Sequence, residues 1–528
     1  MVVKGSRTGS HSGRLVAYAA APGASFLPAR PFAAHERVQV RISLRDRTIR
    51  EAFSVARPGK HDPDLVPEPP RSRAHAQHFA SRPDLFPPRL GIGGTAPPAW
   101  GDIFIAPKVG PADLSFQAGQ PGPMILDPTG KLVWFRPEPA GKAAYDFAEQ
   151  TLGGQPVLTW WEGRVNPDGI GVGSDVIYDS SYRRIARLSG ANGYAPDLHE
   201  FLLTPSDSAL ITTFAPVRMD LKSFGGPRNG TLEDSVIQEI DIRTGLVMFE
   251  WHALGHLDPR ESYLRPTRGL TYDPFHFNSI QPLPNGNMLI SARNTSALYE
   301  IDPTSGQLVW RLAGKHSNFR ISPGAGFAWQ HDARMLADGT ISVFDDEAAP
   351  RIRSQSRALV LNVDESDHVV SVVRQLTHPS PLLAGNQGSV QILPDGGVFV
   401  GWGSAPFASE FDANGRLVFD LRISAPDESY RAVRAPWSGH PLSPPAIVAR
   451  RGRGGTTTVY ASWNGASNIA SWQELAGTNP SALAPVQTVA RSGFETVLLA
   501  PPGASYVAMR ALDAAGVVVG TSAVIRPR

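Results

Sequence analysis

The sequence predicts an all-β protein centred on a six-bladed β-propeller, and three observations carry that expectation. One supersecondary unit recurs six times, its period is regular, and the composition favours turns over long helices. The unit is an apolar strand, an aspartate turn often followed by glycine, and a second apolar strand. Its aspartates fall at Asp127, Asp179, Asp241, Asp302, Asp364 and Asp412, spaced by 52, 62, 61, 62 and 48 residues. Such a period fits a four-stranded blade with its loops, and aspartate turns are hairpin chemistry. The 51 glycines and 48 prolines punctuate short strands and interrupt helices. A β-sandwich array is the alternative, and the regular repetition argues against it.

Three regions are expected along the 528 residues. Residues 1–80 read as a small N-terminal β domain and linker, because Val38-Gln-Val-Arg-Ile-Ser-Leu alternates cleanly and a proline-rich stretch follows at 67–73. Residues 81–425 hold the repeats. Each aspartate hairpin would supply the two outer strands of a blade. A second hairpin, at 199–213, 276–293, 331–345 and 388–402, would supply the inner strands, closed by turns such as Asn285-Gly286 and Asp338-Gly339. Residues 426–528 lack the repeat but keep short strands, at 456–472 and 494–524, and a β-sandwich resembling fibronectin type III is expected.

Composition removes several function classes. A net charge of +2 and the lack of a basic stripe with interleaved aromatics leave no footprint for nucleic acid. With no cysteine, disulfides, thiolate metal sites and a cysteine nucleophile are excluded. No apolar run reaches the ~18–20 residues of a membrane helix. The start, Met1-Val-Val-Lys-Gly-Ser, has no apolar core after its charges and does not read as a signal peptide. A homodimer is compatible with all of this.

The candidate chemistry lies where the inner strands begin. Aligned on their turns, His199, Asn278 and His331 occupy equivalent places, with Gly388 in the next unit. His276 and Asn386 stand two residues earlier, on the same strand face if alternation holds. Arg293 leaves the far end of the His276 hairpin. Inner strands line a propeller's channel, so these residues could share one cavity. Each also has a bland reading: a strand cap for His199, a core imidazole for His276, a turn pair with Asp332 for His331, and a blade-to-blade bridge for Arg293. His252 and His256 have the His-x₃-His spacing of a zinc pair, yet Leu254-Gly255 argues against the helix that spacing needs. No metal and no organic cofactor are expected.

The strings Asp273-Pro-Phe-His-Phe-Asn-Ser, Ser291-Ala-Arg-Asn, Trp329-Gln-His-Asp-Ala-Arg and Gly385-Asn-Gln-Gly-Ser resemble those of the arylsulfotransferase family, in its fungal and actinobacterial branch. The flanking Ser81-Arg-Pro-Asp-Leu and Phe494-Glu-Thr are similar as well, so the likeness spans about residues 80–515. The resemblance implies a six-bladed enzyme that takes sulfate from an aryl sulfate, without an adenosine phosphosulfate donor, and passes it to a phenol. It implies ping-pong transfer through a sulfohistidine on His331. Arg293 would hold the sulfuryl oxygens, His276 would act as acid and base, and His199 and Asn278 would add hydrogen bonds. Asn386 and Gln387 receive no role. An extracytoplasmic location is implied too, and the family's short cysteine bridge is absent here. The competing readings are a binding module on the same fold, a sulfatase-like hydrolase and a quinone-dependent propeller.

Overall fold

The computed structural model describes residues 1–60, 65–110, 113–267, 269–452 and 456–528. The chain is all-β: strands dominate, and its helical elements among the described residues are five short 3₁₀ turns. In every one of the six repeat turns, the aspartate carboxylate accepts backbone N–H groups two to four residues further on. Asp127 takes Thr129 and Lys131, and Asp412 takes Asn414 and Arg416. Asp179, Asp241, Asp302 and Asp364 do the same. The repeat therefore exists because this side chain closes the turn itself.

Six sheets, antiparallel except for one short parallel edge strand, follow one another through the repeats. Four of them are built from consecutive strands beginning at Ala143–Leu152, Pro196–Leu203, Phe277–Pro282 and His331–Met335, the last also carrying Arg320–Ile321 at its outer edge. A further one begins at Ser389–Ile392 and is extended by Leu90–Gly94. The remaining sheet joins distant parts of the chain. Its outer strands are Asp102–Ile105, Met124–Leu126 and Leu132–Phe135, and its inner one is Ala432–Ala435, which pairs antiparallel with Asp102–Ile105. The ring is thus completed by chain beyond residue 425, the expected limit of the repeats. The inner strands of successive sheets touch in a closed cycle, each meeting the next. The arrangement is propeller-like, and its closure leaves no free inner edge to pair with another chain.

Six apolar clusters hold the ring, one between each pair of neighbouring sheets. Alternate residues of one strand serve opposite clusters. Leu289 and Leu298 pack with Ile341, Val343 and Leu359, while Ile290 and Tyr299 pack with Ile237 and Trp251. Likewise Ile103 and Ile105 meet Phe399 and Phe419, whereas Phe104 meets Phe147 and Trp160. Strands buried on both faces must be apolar on both, which is why the repeats read as continuous apolar runs.

The flanks pack against this ring. The N-terminal sheet orders Gly9–His11, Val2–Gly5, Arg37–Ser43 and Thr48–Ser54, and the backbone of Ala19 and Ala20 donates to Asp241. At the C-terminus a three-stranded and a four-stranded sheet share a core of Val459, Trp472, Leu498, Val507 and Met509. The two flanking strings of the sequence meet here: Glu495 accepts the Ser81 N–H at 2.6 Å, and Phe79 packs on Phe494 at 4.3 Å.

Candidate active site

Each of the six inner strands, or the residues leading into it, delivers a side chain to one cavity of about 350 Å³. In ring order these are Tyr430, Tyr145, His199, His276, His331 and Gln387. The backbone there is irregular. Register shifts interrupt four inner strands, between Tyr145 and Ala148, Pro196 and Phe201, Phe277 and Ser279, and His331 and Arg334. Asp146, His276, Asp332 and Gln387 take left-handed φ values of 52°, 58°, 52° and 69°. Bulges re-aim side chains, and strained φ values gather where a ring of side chains must converge.

Each histidine is oriented by an acid. His331 Nδ1 lies 2.8 Å from Asp346 Oδ2, and its Nε2 accepts the backbone N–H of Gln387 at 3.2 Å. With Nε2 accepting, the ring proton sits on Nδ1 and points at Asp346. Burial holds His331 well below the usual histidine range, helped by the Arg293 charge and by His199 and His276. Burial also raises the Asp346 carboxyl well above its ordinary value, against the pull of Arg293. His276 Nδ1 is 2.5 Å from Asp273 Oδ2, which leaves Nε2 as its exchangeable nitrogen. His199 Nδ1 pairs with Asp197 Oδ1, and burial pulls its pKa down. The His199 and His276 rings meet edge to face at 4.6 Å.

Arg293 completes the wall. Its guanidinium donates to Asn294 Oδ1 at 3.0 Å and to the carbonyl of Gly385 at 3.1 Å, and it lies 5.1 Å from the Trp329 ring centre. Burial draws its pKa down while Asp346 and Asp273 draw it up, and an arginine stays charged throughout. A neutral imidazole with a fixed tautomer, a nearby planar cation and a second acid-paired imidazole can together perform nucleophilic transfer of an anionic group.

The model of the arylsulfotransferase family (ASST) matches residues 148–424, more than half of the chain. The chain belongs to the arylsulfotransferase family. Among curated proteins none matches the sequence. Solved structures with some likeness include a protein of unknown function from Bacteroides caccae, 16% identical over 63% of this chain and 99% of that one, at a TM-score of 0.40. A protein from Lactobacillus plantarum is 13% identical over 76% of this chain and 99% of its own, at 0.34. Virginiamycin B lyase from Staphylococcus aureus is 10% identical over 63% of this chain and 87% of its own, at 0.31.

The structure brings His199, His276, Arg293 and His331 together on one cavity. Asn278 is elsewhere. It is fully buried, its Nδ2 donates to the Gln330 carbonyl at 2.7 Å, and it is not among the cavity residues. The expectation that His276 and Asn278 share a face assumed strict alternation, and the bulge between Phe277 and Ser279 breaks it. The turn pair of His331 with Asp332 does not form either. The Asp332 carboxylate accepts from Arg334 and from the Val390 N–H. Nor does Arg293 bridge through a carboxylate: it forms no ion pair among the described residues, and its partners in neighbouring segments are carbonyls. His252 is shared between Asp234 and Glu250, and no group of three or more metal-binding side chains occurs among the described residues.

Several residues that line the cavity or orient its histidines carry little or no mark in the sequence. Asp273 has one, since it stands three before His276 in the same string. Asp346 sits at the end of an apolar strand beside Asp345 and Glu347, with nothing local to single it out. Tyr430 lies beyond residue 425, and only ring closure brings it inward. Gln387 is pinned by its side chain: Lys108 Nζ donates to its Oε1 at 3.1 Å, and its Nε2 donates to Glu428 at 2.6 Å. Beneath the cavity Arg431 and Arg334 bind Asp146, Glu200 and Asp332 in a buried network that fixes the floor.

The lowered His331 pKa has a definite kinetic sign for any reaction in which this imidazole is the nucleophile. A nucleophile whose pKa is below the ordinary value stays neutral as the pH falls. The rate constant for reaction of the enzyme with 4-nitrophenyl sulfate, read by stopped flow, is therefore expected to stay level between about pH 7.5 and 6. A half-loss near ~6.5, the unperturbed histidine value, would show that the imidazole titrates as if exposed.

Proposed function

We propose that the chain is a six-bladed propeller enzyme, with a fibronectin-type-III-like C-terminal domain. It moves a sulfuryl group from an aryl sulfate to a phenol by a ping-pong reaction. The observation that carries this reading is the oriented, neutral His331, with Nδ1 on Asp346 and Nε2 beside the cavity shared with Arg293 and His276. His331 Nε2 attacks sulfur, and the sulfur–oxygen bond to the aryl group breaks, leaving its electron pair on the phenolate oxygen. His276, entering this step as the imidazolium with its Nδ1–H on Asp273, gives that oxygen its Nε2 proton and becomes the neutral imidazole. The Gln387 N–H must release Nε2 for the attack, and it then stands near a sulfuryl oxygen.

In the second half-reaction His276 Nε2 removes the acceptor's proton. The phenolate attacks sulfur, and the sulfur–nitrogen bond returns its pair to His331. Throughout, the planar guanidinium of Arg293 balances charge on the sulfuryl oxygens. Asp346 keeps the Nδ1 side of His331 fixed while Nε2 carries the sulfuryl group. The residues used come from three different sheets, so the site exists only in the closed ring.

The test is direct. Protein is incubated with 4-nitrophenyl sulfate, with and without phenol, and nitrophenol is followed by absorbance. Phenol-dependent release supports transfer; equal release without phenol makes the protein a hydrolase, and no release at all makes it a binding module.

The role of His276 is read from the leaving group. 4-Nitrophenolate departs with little need of a proton, whereas phenolate needs one. His276→Ala is expected to slow sulfation of the enzyme by phenyl sulfate roughly 10²–10⁴-fold, and by 4-nitrophenyl sulfate far less. An equal loss with both donors in single-turnover measurements would assign His276 to positioning and move the acid to His199.

A further inference from the structure

A second cavity, of about 380 Å³, adjoins the candidate active site. The two share Leu264, Arg265 and Tyr272 as a common wall. Its sides are aromatic, with Phe224, Tyr263 and Tyr272, and it holds Lys315. The charge there is uncompensated. Arg260 is committed to Asp258. Lys315 donates to the backbone carbonyls of Arg260 and Ser262 and pairs with no carboxylate among the described residues. Arg265 is exposed and forms no ion pair among them. The apolar rim is exposed as well: Tyr263 and Leu264 retain 48% and 36% of their surface, and Leu270 on the adjoining rim of the main cavity retains 55%, more than a solitary surface leucine would explain.

The cavities are also linked by stacking. Lys315 Nζ lies 5.0 Å from the Tyr263 ring centre, Tyr263 meets Trp329 edge to face at 6.2 Å, and Trp329 faces Arg293. The Tyr263 N–H donates to the Asn294 carbonyl, next to Arg293 in the chain. A molecule filling both cavities would thus run from the sulfuryl site along an aromatic wall to the charges of Lys315 and Arg265.

We propose that this second cavity is a subsite for the distal, anionic end of an extended aromatic acceptor. The ring carrying the reacting hydroxyl occupies the main cavity. A second ring lies between Phe224, Tyr263 and Tyr272, and its carboxylate or sulfate meets Lys315 and Arg265. The substrate class is therefore a two-ring phenol bearing an acidic group, and simple phenol leaves the second cavity unused. This inference rests on the transferase reading, whose failure is distinguishable below.

The matched probes are 4′-hydroxybiphenyl-4-carboxylate and its methyl ester, compared by the ratio of their kcat/KM values so that any loss common to both cancels. The wild-type protein is expected to prefer the carboxylate about tenfold, since two partly exposed ion pairs reach that size together. The preference should shrink in 0.5 M salt, which screens it. Arg265→Ala, and Arg265→Ala with Lys315→Met, should bring the ratio toward one. Equal kcat/KM values for the two probes in the wild type, or a preference that survives in the double variant, overturns the subsite. Calorimetric binding of the carboxylate to enzyme without donor reads the subsite independently of turnover, and absence of heat there also overturns it. Failure of 4-nitrophenyl sulfate to leave a sulfuryl mass on the protein would instead sink the transferase reading.

Discussion

His331→Ala is expected to lower phenol-dependent turnover by at least roughly three orders of magnitude. A covalent catalyst splits one difficult displacement into two easier ones, and its loss removes both. His276 and His199 both hold an acid at Nδ1, but neither has the contact to the Gln387 amide that marks the Nε2 of His331. Intact-protein mass spectrometry after brief exposure to 4-nitrophenyl sulfate should show one added sulfuryl mass in the wild type and none in the variant. His331→Asn serves as the control for folding, because it leaves Asp346 a polar neighbour where alanine leaves a buried carboxyl alone. Turnover above about 1% in both variants, at unchanged melting temperature, would rule out a nucleophilic role.

Arg293→Lys carries the second largest expected effect. Lysine keeps the charge but loses the planar fork, so it cannot hold two sulfuryl oxygens and the Gly385 carbonyl together. Removing one preorganised donor set from a buried anion site usually costs 10²–10³-fold, and a loss of roughly that size in kcat is expected. Stability should change little, by no more than a few degrees (about 2–4 °C per kcal/mol), since the guanidinium has hydrogen bonds to Asn294 and to carbonyls and a stacking contact with Trp329, but no ion pair among the described residues. A variant that melts far earlier, yet keeps its activity per folded molecule, would mark Arg293 as a clamp between sheets.

Much of this is legible in the sequence because it is local chemistry. An aspartate that closes its own turn leaves the same mark in every repeat, so the six hairpins can be counted before any sheet is seen. Strands buried on both faces must be apolar throughout, and that run length separates them from loops. His199, His276, Arg293 and His331 are also within reach, since each stands at a corresponding end of its hairpin and corresponding places in a ring converge.

What the sequence could not decide depends on contacts between distant segments. The closing strand Ala432–Ala435 has no mark of its own; it becomes the inner strand of the first sheet only by pairing with Asp102–Ile105, more than 300 residues away. That closure brings Tyr430 to the cavity and Glu428 to Lys108 and Gln387. The bulge at Phe277–Ser279 turns Asn278 away from the face that strict alternation assigns it. The protonation of His331 is likewise a tertiary property. Its neutrality comes from burial and from the Arg293 charge, and its tautomer from Asp346 and the Gln387 N–H, which three different hairpins bring together.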